Sequence, residues 1–307
     1  MRLLPALLAA GLFVLSAFTP AFAAEMVVRT PTPQEIRKVE QAAPAEPAAK
    51  PAQARKLLVW GRLGAHDPNA IAAETMKILG KKTGAFEAVI SEDPAALLPD
   101  ALKPFDAILM NNVHQPDPFL PADLKTLPAE EQAKLVKQNE AIHKAILEFV
   151  SGGKGIAGIH AATAAFQKWP EYGEMMGGYY GGHMAGDVAI KPEDAASPLV
   201  AAFGGKTFRI TDEIYFAKEP YSRTKVRVLL GLDLKEMEDP AKRPDKDYAI
   251  SWVRDYGKGR VFYCALGHAS STYWNPAVLR HWLAGIQFVI GDLKADTTPV
   301  AGAKATP

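Results

Sequence analysis

From Leu57 onward, apolar runs of a few residues alternate with stretches whose apolar side chains recur at helical spacing. That alternation commits the chain to strands joined through helices. Leu57–Trp60, Phe86–Ile90, Asp106–Met110 and Gly155–Ile159 are the first strand candidates, and Phe208–Ile210, Val226–Leu232, Tyr248–Arg254 and Arg260–Ala265 are the later ones. Asp67 and Pro68 stand as N-cap and first-turn residue of a helix with Ala72, Met76 and Leu79 on one face. A second helix, Glu130–Val150, aligns Ile142, Ile146 and Phe149 and stops at Ser151-Gly152-Gly153. The last opens on Asn275-Pro276, carries Val278, Leu279, Trp282, Leu283, Ile286 and Ile290, and ends at Gly291. The expected fold class is α/β, an open and mainly parallel sheet with helices on both faces.

The ends of the chain read differently. Met1-Arg2 is a positive start, Leu3–Phe18 is almost unbroken apolar sequence, and Ala21-Phe22-Ala23 supplies small residues before a cut. This is the layout of a secretory signal peptide, residues 1–23. The apolar run is shorter than the ~20 residues of a spanning helix, which favours cleavage over a retained anchor. No cysteine stands near the cut to carry a lipid. The expected location is periplasmic or secreted, with no membrane attachment after cleavage. Residues 24–55, with Thr-Pro repeats and then QAAPAEPAAKPAQA, are expected to be a disordered Pro/Ala-rich tether, and residues 293–307 a similar tail. One domain, residues 56–292, remains.

Composition narrows the partners. The 35 basic and 34 acidic residues are interspersed, which leaves no electrostatic footprint for nucleic acid or an anionic membrane. Cys264, the single cysteine, excludes an internal disulfide and a cysteine-cluster metal site; its place in a strand with Phe262 reads as a buried apolar position. No phosphate-cradling loop, dinucleotide fingerprint or HExxH helix is present, so no organic cofactor is expected.

Ligands of open α/β sheets sit beyond the carboxyl ends of the strands. His66, His114, His160, Asp212, Glu213 and His268 all follow strand candidates, whereas His143 and His281 fall inside helices. Gly158-Ile159-His160-Ala161-Ala162 has the layout of a nucleophile elbow, with imidazole at the exposed position; a histidine there serves as base, as nucleophile or as metal ligand. Gly267-His268-Ala269 follows the late strand, and Asp212-Glu213-Ile214-Tyr215 offers a carboxylate to orient a histidine, take a proton or bind metal, or else is a solvated acidic turn. The segment from Trp169 to His183 is aromatic and glycine-rich. It reads as a carbohydrate pocket, with Tyr172 and His183, or as a turn whose aromatics pack in the core.

The runs GGKGIAGIHAA, WPEYGEMMGGYYGGH, DEIY and SWVRDYGKGRVFYCALGH, in that order, together with Ala65-His66-Asp67, resemble the ThuA-like (trehalose utilisation) family of the class I glutamine amidotransferase-like superfamily. The resemblance spans about Leu57 to Gly291. It implies a flavodoxin-like, doubly wound sheet in which His160 replaces the amidotransferase cysteine and His268 stands near the catalytic histidine. Ser270 occupies the place of the acid, so glutamine amidotransfer is not expected. It also implies action on trehalose-related sugars, including sugars oxidised at the 3-position.

Together these readings give His160, Glu213 and His268 as candidate catalytic residues, and His66, Asp67, His114, Trp169, Tyr172, His183, Asp212 and Tyr215 as candidates for contact with a small carbohydrate. His160, His183, Glu213 and His268 are candidate ligands of a divalent metal such as zinc. The expected chemistry is hydrolysis, elimination or isomerisation of a sugar or 3-keto-glycoside. The alternative is a carbohydrate-binding module without catalysis.

Overall fold

The computed structural model describes residues 29–62 and 68–300. The expected signal peptide of residues 1–23, the His66-Asp67 pair with its expected helix cap, and the end of the tail lie outside the described residues. The elements run α1 (Pro33–Ala42), β1 (Lys56–Trp60), α2 (Asn69–Thr83), β2 (Glu87–Ser91), α3 (Pro99–Leu102), β3 (Ala107–Asn111), α4 (Ala129–Ser151) and β4 (Gly155–Ile159). They continue as α5 (Pro170–Met176), β5 (Tyr179–Pro192), β6 (Phe208–Lys218), β7 (Arg227–Leu232), β8 (Ala249–Tyr256), β9 (Gly259–Cys264) and α6 (Pro276–Ile290).

All nine strands form one sheet in the order β2-β1-β3-β4-β9-β8-β7-β5-β6. From β2 to β9 every pairing is parallel; from β9 to β6 every pairing is antiparallel. The sheet is therefore mixed, with the expected parallel strands in one half and an antiparallel half beside them. In the parallel half the central strands β3 and β4 are buried on both faces, which is what crossover helices require, whereas the edge strand β2 is partly exposed. Glycines show how close the helices come. A Cβ on Gly155 would meet the Val289 carbonyl of α6, and one on Gly158 would meet Met176 of α5. Residues 155 and 158 of a strand point to opposite faces, so α5 and α6 pack on opposite sides of the sheet.

Two departures from the sequence reading matter for the site. The first is the aromatic, glycine-rich segment, which forms α5 and then a 14-residue strand, β5. His183 is thus in a strand, and Asp212-Glu213 lies in the middle of β6 rather than in a turn. Only Ile190–Pro192 of β5 pair with β7, whereas Tyr179–Ile190 pair with β6. The two strands make a ribbon that extends past the carboxyl ends of the parallel strands. The second departure is the expected tether, which is ordered from residue 29 onward. Thr32 and Glu35 form a reciprocal capping box, Pro33 occupies the first turn of α1, and Val39 is fully buried. Beyond α1 the Pro/Ala-rich stretch has few side chains to bury, and the domain satisfies its backbone instead. Gln287 Oε1 accepts from the Ala48 and Ala49 amides, and Gln287 Nε2 donates to the Ala49 carbonyl. The start of the tail is also held, since Arg227 contacts Asp296 and the Thr298 carbonyl.

Candidate functional site

β4 is a five-residue strand of small and apolar residues, and the chain turns sharply as it leaves it. His160 takes φ +47°, a left-handed conformation that is strained for a residue with a Cβ. The turn is possible because its flanks are small: a Cβ on Gly158 would come within 2.9 Å of Ala162 Cβ. Tyr263 donates from its hydroxyl to the His160 carbonyl at 2.7 Å and pins the turn from β9. His160 is fully buried, and its Nδ1 lies 2.9 Å from the Ala265 carbonyl. A carbonyl only accepts, so this contact assigns a hydrogen to Nδ1 and leaves Nε2 turned toward the site.

Two further side chains of metal-ligand type face that nitrogen. His160 Nε2 is 3.3 Å from His268 Nδ1 and 3.5 Å from Glu213 Oε1, and His268 Nδ1 is 3.7 Å from the same carboxylate oxygen. Tetrahedral ligands at about 2.1 Å from zinc stand ~3.4 Å from one another, so this triangle has the size and donor types of a three-residue zinc site. The Nδ1 contact of His160 with Ala265 is the outer hydrogen bond that metal-ligating histidines make. Glu213 is held below the usual carboxylate range, first by the His160 imidazole against it and then by the charges of His268 and His183, with partial burial opposing. It is an anion at neutral pH.

His183 stands outside this triangle. Its Nε2 faces the other oxygen of Glu213, at 3.7 Å, and its Nδ1 is 2.6 Å from the Tyr180 hydroxyl. Tyr180 and His183 are three residues apart and would point to opposite faces of a regular strand. A bulge at Gly181-Gly182 inserts one extra residue and brings both to the face that carries Glu213 and Tyr215. The Tyr215 ring packs at 4.3 Å from the His160 ring. Beside this group opens a cleft lined by His114, Ala164, Gln167, Tyr180, Gly181, Gly182 and Lys218. Burial lowers the pKa of His114.

Other candidates have different places. Trp169 stacks on His143 at 3.8 Å, and Tyr172 is fully buried with its hydroxyl donating to the Ala162 carbonyl. Both are core residues rather than sugar contacts, because the short helix α5 turns them inward. Asp212 is also buried, its carboxylate taken up by backbone amides of the His268 loop, so it does not reach a ligand. Burial pushes the Cys264 thiol up to about 12, so no reactive thiol serves the site. Sequence reasoning did not single out Tyr180, Gln167 or Lys218. Tyr180 was legible only to someone who already knew of the bulge. A further cleft, along residues 217–224 and 243–247, is lined by charges paired with one another: Arg223 with Glu193 and Asp247, Arg243 with Asp245, and Lys246 with Asp239.

Residues 56–289 match the ThuA family, whose description is trehalose utilisation. Among solved structures the chain is similar to a ThuA-like protein from Bacteroides uniformis, with 22% identity and a TM-score of 0.59 over 78% of this chain and 94% of that one. It is similar also to a ThuA-like protein from Parabacteroides merdae, with 18% identity and a TM-score of 0.54 over 83% of this chain and 97% of that one. Likeness at such identities shows a shared fold. No curated protein matches the chain at the sequence level. The family match runs from the first strand of the sheet to the last turn of its closing helix, and the chain belongs to the ThuA family.

Proposed function

We propose that this chain is an exported enzyme that processes a small carbohydrate, a sugar or 3-keto-glycoside, with a divalent cation such as zinc at His160, Glu213 and His268. The observation that carries this reading is the triangle of two imidazole nitrogens and a carboxylate oxygen, 3.3 to 3.7 Å apart, with His183 and Tyr180 leading from it to a cleft. The substrate class rests on the trehalose-utilisation family, the export on residues 1–23, and a flavodoxin-like arrangement on the order β2-β1-β3-β4-β9 of the parallel half. Magnesium prefers oxygen donors, whereas two imidazoles and one carboxylate suit zinc. A bound zinc would polarise a sugar carbonyl as a Lewis acid.

The side chains then divide the proton work. A 3-keto-glycoside has acidic C–H bonds beside its carbonyl. Removing the C2 proton while the glycosidic oxygen leaves C1 with a proton forms a C1–C2 double bond, and later addition of water completes hydrolysis. His183, half-exposed and backed by Tyr180 and Glu213, is placed to hold or release a proton at Nε2, while the Tyr180 hydroxyl and Lys218 line the cleft where the sugar would lie.

The test uses the mature chain as purified, after chelation, and after return of zinc, with 3-keto-trehalose and trehalose followed by NMR. Product from the zinc-loaded protein and at least a 100-fold loss in His160→Ala are expected. Binding of sugar with no product in any state would overturn catalysis and leave a carbohydrate-binding module. Unaltered turnover in His160→Ala would remove His160 from the mechanism.

A further inference from the structure

His268 is 40% exposed at its side chain, so packing alone does not fix its ring. What is fixed is its backbone. Asp212 Oδ1 accepts from the amides of His268 at 3.0 Å, Ala269 at 2.6 Å and Glu213 at 2.9 Å, and Oδ2 accepts from the Gly267 amide at 2.8 Å and the Thr272 hydroxyl at 2.9 Å. Three successive amides thus converge on one buried carboxylate, in the manner of an anion-binding nest filled by the protein's own side chain. On the other side of the loop the Tyr273 hydroxyl donates to the Gly267 carbonyl at 2.6 Å. Gly267 itself takes φ +131°, a conformation that suits glycine, where a Cβ would stand 2.9 Å from Ile159.

We propose that Asp212 is a positioning residue that sets where His268 Nδ1 stands against His160 and Glu213, without touching substrate. Residues 212 and 213 of β6 point to opposite faces. The same strand therefore offers Glu213 to the site and grips the His268 loop with Asp212, and any shift of the ribbon moves both together. Charge-assisted hydrogen bonds are about twice as strong as neutral ones, which gives this grip its stiffness. The placement of the loop can be measured in metal-free protein; its consequence for zinc rests on the reading of the site given above.

The variant is Asp212→Asn, whose amide nitrogen cannot accept. In metal-free full-length protein, the imidazole signals of His268 and His160 in ¹H–¹⁵N NMR should move or broaden, while those of His281 and His143 stay in place. Zinc affinity, read by chelator competition, should fall about 10- to 100-fold. Ile142→Ala, a core change in α4, serves as a control of comparable thermal cost and should alter neither readout. If Asp212→Asn does not fold, Thr272→Val removes one of the donors and should displace the same two signals by less. Unmoved His268 and His160 signals in a folded variant, or equal movement in Ile142→Ala, would overturn the proposal. Wild-type protein that fails to bind zinc would sink the metal reading alone, since the NMR comparison still decides the role of Asp212.

Discussion

His160 and His281 are both fully buried, yet only one has a nitrogen turned toward other donors at the cleft. His281 spends both ring nitrogens on structure, Nδ1 against the Leu199 carbonyl at 2.7 Å and Nε2 against Ser251 Oγ at 2.9 Å. Burial lowers its pKa from 6.5 to about 4. Between those values the unfolded chain takes up a proton that the folded chain refuses, so this contribution is complete above pH 6.5 and shrinks as pH falls toward 4. The full change is roughly 3 kcal/mol for such a displacement. Urea unfolding at pH 7.5, 6 and 5 should show this decline. His281→Gln should be less stable at pH 7.5 by about 1–3 kcal/mol, through lost buried hydrogen bonds, but flatter with pH. His143, also held at about 4 by burial, preserves part of the slope. An unchanged slope in His281→Gln would remove His281 as its source.

At the scale of elements, the parallel strands were legible because each is a short, mostly apolar run bounded by polar turns. The ribbon was not. In β6 the buried positions Ile210, Ile214 and Phe216 alternate as a strand should, but Asp212 occupies the buried position between the two isoleucines and disguises the period as an acidic turn. In β5 the glycines that permit the bulge read as a loop. His160, Glu213 and His268 could still be named as a group because the two histidines follow visible strands, and the structure brings the three side chains together. The ordered N-terminal segment had a signal in Thr32-Pro33-Gln34-Glu35, a capping box, but composition outweighed it. α1 is held by one buried side chain, Val39, by Lys82 donating to the Glu40 and Ala43 carbonyls, and by Lys38 over the Trp274 ring. Burying valine is worth about 1.5–3 kcal/mol, and a buried unpaired carboxylate costs more. Val39→Asp should therefore release α1, exposing residues 29–45 to limited proteolysis and lowering Tm while the sheet stays folded. Proteolysis no faster than in wild type would show that the other contacts suffice.

On the scale of the whole molecule, the candidate metal ligands come from three distant parts of the chain: the end of β4, the middle of β6 and the loop after β9. The first and last follow central strands of the sheet, and the second lies on the β5–β6 ribbon at its edge. An ion bound by all three would tie the ribbon to the sheet, which makes its binding a measure of global stability. A ligand that binds only the folded state at 100 times its Kd adds about 2.7 kcal/mol. A domain of this size gains roughly 2–4 °C per kcal/mol, so saturating zinc should raise Tm by about 5–10 °C. Magnesium should do little at the same concentration, because two of the three donors are imidazoles. Glu213→Gln removes the only ligand on the ribbon and should abolish most of the shift, with hydrogen exchange in β5 and β6 no longer slowed by zinc. A zinc-dependent rise that persists in Glu213→Gln would place the ion elsewhere and leave the ribbon untied.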